Sequence, residues 1–347
     1  MKAPKTLSLH LQSTSSLFIA DAGAGKHHID DQGYIKPGKV QGTLPVARTE
    51  RKPILVPKEI SGADSDSVIL FPYIKANNMV GRLRRFAQDA INEVLIERGE
   101  TISDKAYRGL SCGATSGTPT GIEPTLKEHR DARAHFYMGL FGGGSGMFSS
   151  GMSFGDFDVK HKYLISAGVL PAETRGAIDV NPHHLTHPVV INRRDRMNEL
   201  SDFHIEQVLK GGEEAIHDWR SEAARAAQDK KEEKEGAKRL TLRNLVAYEA
   251  APAGLSYQSK VVFNPFIEDA QVGLLLEALT RFARANAIGG RTAKGLGRFN
   301  LTVKEGDEVL LQSVDGEVIK SAGGKYTESL VNELDNLDVE LLESFFA

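Results

Sequence analysis

Leucine at every second position marks the first element. In "TLSLHLQS", Leu7, Leu9 and Leu11 alternate with Ser8, His10 and Gln12, the period of a strand with one buried face. The period lengthens to that of a helix in "NNMVGRLRRFAQDAINEVLIERG". There Val80, Leu83, Phe86, Ala90, Ile91, Val94 and Leu95 share one stripe, Asn77 or Asn78 is placed to cap the start, and Gly99 closes the end. A short apolar run, "SVILFPYI", leads into it. Two further strands, "LRNLVAYEAAPAG" and "LSYQSKVVFNPF", flank Pro252–Gly254. They are followed by a helix, "DAQVGLLLEALTRFARANA", with Leu274, Leu275, Ala278, Leu279 and Phe282 inward, then by a glycine turn and the strand "RFNLTV". Strand, helix, strand occurs twice, which predicts an α+β fold: a ferredoxin-like sheet of the RRM type with helices on one face. The open face of such a sheet commonly meets RNA.

Between these elements the periodicity fails. From Asp21 to Asp66 the chain is rich in Gly, Pro and polar residues, longer than an ordinary connection, and reads as an inserted loop. Residues 101–190 are mixed around "GLFGGGSGMFSSGMSFGDFDV". "HPVVINRRDRM" reads as a strand entering a basic turn, and residues 203–239 as a charged helical stretch. "GGRTAKGLGR" and "KANNMVGRLRR" are locally basic, whereas "YTESLVNELDNLDVELLESFFA" has six acidic residues and no basic one.

Composition narrows the choices. A net charge of −3 rules out a globally basic nucleic-acid binder, but segregated charge permits a positive groove on a nearly neutral protein. One cysteine, Cys112, excludes an internal disulfide and a multi-cysteine zinc site. No apolar run approaches a membrane span and the N-terminal stretch lacks the apolar core of a signal peptide, so a cytoplasmic protein is expected.

Several chemical motifs fail on spacing. In "GAGKHH", His27 follows Gly25-Lys26 and Ala20 stands where a phosphate loop has its first glycine. "GLFGGGSGMF" lacks the strand–turn–helix frame of a dinucleotide site. His183, His184 and His187 are boxed in by Pro182 and Pro188 without a zinc-protease carboxylate, and read as a surface turn. No cofactor and no metal is expected. Two segments remain. Arg82, Arg84 and Arg85 fall in the first turns of a helix, where cations disfavour the isolated helix unless an anion docks. In "ANAIGGRTAKGLGRFNLTV", Gly289 and Gly290 are placed to end the helix. Gly295 and Gly297 permit close backbone approach, and Arg291, Lys294 and Arg298 decorate the turn. Together they predict one polyanion track.

The pairing of "PYIKANNMVGRLRR" with "GGRTAKGLGRF" resembles the RAMP superfamily of CRISPR proteins, whose motifs are an S-x-L-(R/K)-G-x-x-R-like helix start and a terminal G-G-x-x-x-x-G-x-G-R loop. Asn78-Met79-Val80-Gly81 departs from the first of these. "LHLQSTSSLFIADAGAG", the phenylalanine–glycine segment and "INRRDRM…LVAYEAAPAGLSYQSKVVF" are similar to the backbone-subunit branch, the Cas-seven family, and most of all to its type IV member.

This resemblance implies one elaborated domain over 1–347. Its palm core would comprise 1–20, 66–100 and 246–305, with a loop insertion at 21–65 and a fingers-like insertion at 101–187. A thumb with a helical insertion would span 188–245, before an acidic C-terminal segment at 306–347. It further implies a non-enzymatic antiviral role. The chain would bind guide RNA (crRNA) along its phosphates, polymerise with copies of itself as a helical filament, and join other effector subunits to present the guide to target nucleic acid, with no membrane partner. Candidate RNA-binding residues are Arg48, Lys75, Asn77, Asn78, Arg82, Arg84, Arg85, Gly290, Arg291, Lys294, Gly295 and Arg298, with Arg193, Arg194 and Arg196 at or near the thumb. RNA-cleaving type III relatives carry an aspartate two residues before a Pro-Val-x-Arg-like stretch. In "QGTLPVAR" that place is Thr43, which cannot serve as a carboxylate ligand or base. Asp21, Asp30 and Asp31 remain for the alternative, a metal-dependent RNase.

Overall fold

The computed structural model describes residues 5–21, 27–30, 35–38, 44–62, 64–113, 123–194, 214, 243–321 and 323–347. Its strands are β1 (Thr6–Ser13), β2 (His27–Ile29), β3 (Ile35–Pro37), β4 (Leu44–Ala47), β5 (Arg51–Val56), β6 (Ser67–Ile74), β7 (Met152–Phe154), β8 (Phe157–Val159), β9 (His187–Arg194), β10 (Arg243–Ala250), β11 (Ser256–Phe263), β12 (Phe299–Glu305), β13 (Glu308–Val314) and β14 (Glu317–Lys320). Its helices are α1 (Lys58–Ser61), α2 (Ala76–Arg98), α3 (Asp104–Cys112), α4 (Leu126–Ala134), α5 (Phe136–Phe141), α6 (Lys162–Ser166), α7 (Asp269–Ala285), α8 (Lys325–Asp335) and α9 (Val339–Ser344). The chain is α+β with sheets that, among the described residues, are antiparallel except at one pair, and divides into two units. One comprises Met1–Ala24, Arg48–His187 and Glu249–Ala347; the other comprises Gly25–Ala47 and Pro188–Tyr248.

In the larger unit the main sheet runs β14-β13-β12-β1-β11-β8-β6-β5, with β7 also paired to β11. The pairings of β1 with β11 and β12, and of β8 with β11 and β6, are antiparallel. Leu9 lies opposite Ser259 on one side and Val303 on the other. The leucine alternation of β1 is borne out: Leu7, Leu9 and Leu11 are buried. On that face α7 stacks Phe282 on Phe299 of β12, ring centroids 4.5 Å apart. Helix α2 is tied to α7 by Phe86 against Phe282 and by the Arg281 fork, whose two terminal nitrogens each reach a Glu93 oxygen at 2.6 Å. The expected stripes hold, with Leu83, Ala90, Ile91 and Leu95 buried on α2 and Leu274, Leu275, Ala278, Leu279 and Phe282 buried on α7.

The structure differs from the sequence expectation in four places. The strand next to β11 is β8, drawn from the segment expected as a fingers-like insertion. The run "SVILFPYI" is β6, one position further out, on β8 and β5. Part of the stretch expected as a loop, 21–65, forms β2 to β5 and α1. β2, β3, β7 and β8 are three residues each and β4 is four, too short to display alternation. Finally, the acidic C-terminal segment adds β13 and β14 to the main sheet, and α8 and α9 bury Tyr326, Leu330 and Leu342. Phe345 and Phe346 follow them into the core. A Cβ on Gly109 would stand 2.1 Å from the Phe346 ring, so a glycine in α3 makes room for that anchor. The acidic residues are simply the outer face of a packed segment.

The smaller unit is a five-stranded sheet, β3-β2-β4-β10-β9. β2 pairs antiparallel with β3 and β4, and β10 runs parallel to β4 with Ala247 opposite Val46. The expected charged helical stretch 203–239 lies outside the described residues, Glu214 apart. No described helix is long and apolar enough to cross a membrane.

Candidate nucleic-acid interface

The start of α2 is built differently from the expected capped terminus. Lys75 is the N-cap and offers no side-chain bond, and neither Asn77 nor Asn78 caps. The Ala76 N–H instead donates to Asp156 Oδ1 at 2.9 Å. A carboxylate of the protein thus already meets the positive end of the helix dipole. Lys75 pairs with Glu50 Oε1 at 2.5 Å, and that bond holds the Lys75 ammonium above its ordinary pKa.

One turn further on, the helix opens into a cleft of about 340 Å³ lined by Asn77, Asn78, Met79, Gly81, Arg82 and Arg85 from α2. Ile288 and Gly289 of the glycine turn, with Ile19 after β1, complete it. The two motifs, some two hundred residues apart in sequence, therefore meet at one cavity, but the turn contributes Ile288 and Gly289 only; its cations Arg291, Lys294 and Arg298 do not line it. Among the described residues lining it none is acidic. Arg82 is half-buried, its guanidinium 5.7 Å from the Phe86 ring and 5.8 Å from the Phe282 ring, and its Nε is shielded without a hydrogen-bond partner among the described residues. Burial, followed by the neighbouring Arg85 charge, lowers the Arg82 pKa. Arg85 is exposed and enters no ion pair among the described residues. Two like charges held side by side without a carboxylate repel each other, and an anion docked between them would relieve that repulsion.

Arg84 belongs elsewhere. It donates from Nη2 to the Phe141 carbonyl at 2.5 Å and from Nη1 to the Gly142 carbonyl at 3.2 Å, closing the C-terminal end of α5. Arg48 is likewise occupied: its Nε reaches Glu249 Oε2 at 3.2 Å. Glu249 is buried (2% exposed) and also takes Arg51, the Thr186 hydroxyl at 3.0 Å and the Thr49 N–H at 3.3 Å. Desolvation, then the Arg48 charge, lowers the Arg51 pKa to about 10.

The glycine turn is also reinterpreted. Helix α7 ends at Asn286 in the left-handed conformation, φ 41°, rather than at Gly289 and Gly290. The turn then folds onto the segment after β1. Gly290 N–H donates to the Phe18 carbonyl at 2.8 Å and Gly297 N–H to the Ser16 carbonyl at 2.9 Å. A Cβ on Gly297 would stand 1.9 Å from the Ile288 carbonyl oxygen, and one on Gly289 2.3 Å from that of Phe18. These glycines are needed by the protein's own backbone. Gly297→Ala, at φ 75°, therefore destabilises the fold by roughly 2–4 kcal/mol, whereas Gly295→Ala, with nothing within 4 Å, costs only about 1 kcal/mol. Urea midpoints of the two variants check this, and equal midpoints contradict it.

Gly295 and Lys294 are exposed, and Lys294 enters no ion pair among the described residues. Arg298 is exposed but tethers Nη1 to the Asn286 carbonyl at 3.3 Å, at the negative end of α7. Arg291 is half-buried in the left-handed region, φ 61°. Of the alternative aspartates, Asp30 pairs with Lys36 Nζ at 2.8 Å within the smaller unit, and the Asp21 N–H donates to the Arg48 carbonyl at 3.0 Å within the larger one. Among the described residues no three His, Cys, Asp or Glu side chains gather to hold a metal. Asp31 and Arg196 lie outside the described residues; Arg193 and Arg194 fall in β9.

The sequence reading missed Ile19, Met79, Gly81, Ile288 and Gly289 as cleft lining. Only the apolar residues next to each basic motif hinted at them.

No protein-family model matches the chain, and no curated protein matches it. Among solved structures it is similar to a chain of one described as "Type IV-B CRISPR Complex", at 17% identity and a TM-score of 0.48, covering 95% of this chain and 98% of the other.

Proposed function

We propose that this protein binds guide RNA along its phosphate backbone and polymerises with copies of itself as the helical spine of a CRISPR effector ribonucleoprotein. The observation that carries the reading is the cleft shared by Asn77, Asn78, Arg82 and Arg85 of α2 and Ile288 and Gly289 of the glycine turn, with no acidic residue among the described residues lining it. These are the two motifs on which the resemblance to the RAMP superfamily rests. The order β12-β1-β11-β8 supports a ferredoxin-like palm: numbering the strands of its two strand–helix–strand halves one to four, it is four-one-three-two. In this reading β9 and β10 belong to the thumb, other effector subunits join at the filament ends, and target nucleic acid pairs with the presented bases. Contacts to phosphates position RNA without reading its sequence.

The test is isolation of the protein from cells that transcribe a guide array. Expected are small RNAs of uniform length in a multi-subunit particle, with nuclease protection at regular intervals and no cleavage on adding magnesium. A nucleic-acid-free monomer sinks the proposal. RNA cleavage abolished by Asp30→Ala or Asp31→Ala replaces it with the RNase reading.

A further inference from the structure

The face of the main sheet turned away from α2 and α7 carries a second polar cavity, of about 270 Å³. It is lined by His10 and Gln12 of β1, Lys160 just after β8, Ser256 of β11, Asn300 and Thr302 of β12 and Gln312 of β13. Register explains the gathering: His10 lies opposite Gln258 and Thr302, and Thr302 lies opposite Gln312, so successive strands present outward polar residues in one row. Among the described lining residues none is acidic. The carboxylate of the same face, Asp158, is already held by Lys52 Nζ at 2.9 Å.

Lys160 lines the cavity, and Lys304 lies beside it on the same face of β12, two positions beyond Thr302; neither enters an ion pair among the described residues. Lys160 is part-buried, and burial followed by the Lys304 charge lowers its pKa. His10 is lowered to about 4, first by burial and then by Lys160 and Lys304, so it is neutral near pH 7. Its Nδ1 is shielded and makes no hydrogen bond among the described residues. Two mutually repelling ammonium groups beside an unused imidazole nitrogen, three side-chain amides and two hydroxyls constitute a preformed demand for an anion that also carries donors and acceptors.

We infer that this cavity binds one phosphorylated nucleotide unit, with Lys160 and Lys304 on the phosphate and Gln12, Asn300 and Gln312 on the sugar or base. The volume admits about one nucleotide, and three amides beside Tyr257, whose ring is fully buried and offers no open face, suit hydrogen-bonded rather than stacked recognition. Such a unit comes either as a free mononucleotide or as one residue of a single strand. The site is separate from the α2 cleft and does not depend on the function proposed for it.

The test uses the full chain with uridine 5′-monophosphate, a short single-stranded oligouridylate and inorganic phosphate as probes. Lys160→Gln with Lys304→Gln is expected to weaken binding at least about tenfold, the size of losing one charge-assisted contact, while Arg108→Ala, on the exposed face of α3, leaves mononucleotide binding unchanged. Loss for the mononucleotide identifies a free-nucleotide site; loss for the oligomer alone identifies a strand contact. Phosphate binding alone, or unchanged affinity for both nucleotide probes, overturns the inference. Acylation of Lys160 and Lys304 in the unaltered protein gives a second readout. Nucleotide is expected to slow it, and no protection by either nucleotide probe overturns the inference even if the double variant folds poorly.

Discussion

Arg82→Ala combined with Arg85→Ala lowers affinity for single-stranded RNA by about a hundredfold, the loss of two charge-assisted phosphate contacts. It also makes the slope of log affinity against log salt shallower by about 1.4. These are the two cations of the cleft shared by α2 and the glycine turn. Both changes are expected on every RNA sequence tested, because phosphate contacts carry no base information. Arg84→Ala behaves differently. Its guanidinium serves the Phe141 and Gly142 carbonyls, so its removal lowers the unfolding midpoint and leaves the salt slope unchanged. Filter binding across a salt series separates the variants, and a double variant with the parental slope removes the cleft from the RNA path.

Glu249→Gln is expected to destabilise the larger unit by about 3–5 kcal/mol, because it leaves partly buried guanidinium charges uncompensated. Glu249 is shared by Arg48, Arg51, Thr186 and the Thr49 N–H. Glutamine keeps the shape but removes the charge, so Arg48 and Arg51 then repel across one amide. The surface pair Lys36–Asp30, whose lysine side chain is 57% exposed, provides the contrast, because solvent screens it and Lys36→Gln is expected to leave the midpoint nearly unchanged. Urea unfolding followed by far-UV circular dichroism measures both. If Glu249→Gln moves the midpoint no further than Lys36→Gln, the buried ion network is not a source of stability.

The two long helices and the strands β1, β11 and β12 were legible in the sequence because each runs at least seven residues and buries one face. Periodicity then repeats often enough to be read. The short strands were not, since three residues of β8 look the same in a loop. The candidate site was half legible. Its two basic segments stood out, but which cations point into the cleft depended on partners far away in sequence: Phe141 claims Arg84 and Glu249 claims Arg48.

The glycine turn shows the same division. The sequence by itself determined that one helix should start near Asn77 and end near Gly99, that Leu7, Leu9 and Leu11 face a core, and that glycine and cations coincide at 289–298; it put the end of the second helix at Gly289 and Gly290, past its end at Asn286. Those are local facts of propensity, period and charge. Only the tertiary structure decided what the glycines are for. Gly289 and Gly297 yield to the carbonyls of Phe18 and Ile288, so the turn can lie against the segment after β1. Only it decided, too, that the N-terminal end of α2 is met by Asp156 and the cleft with Arg82 and Arg85 lies further along the helix. The physical reason is that a charge or a glycine is committed by its neighbours in space, and those neighbours are assembled by long-range strand pairing that no local pattern encodes.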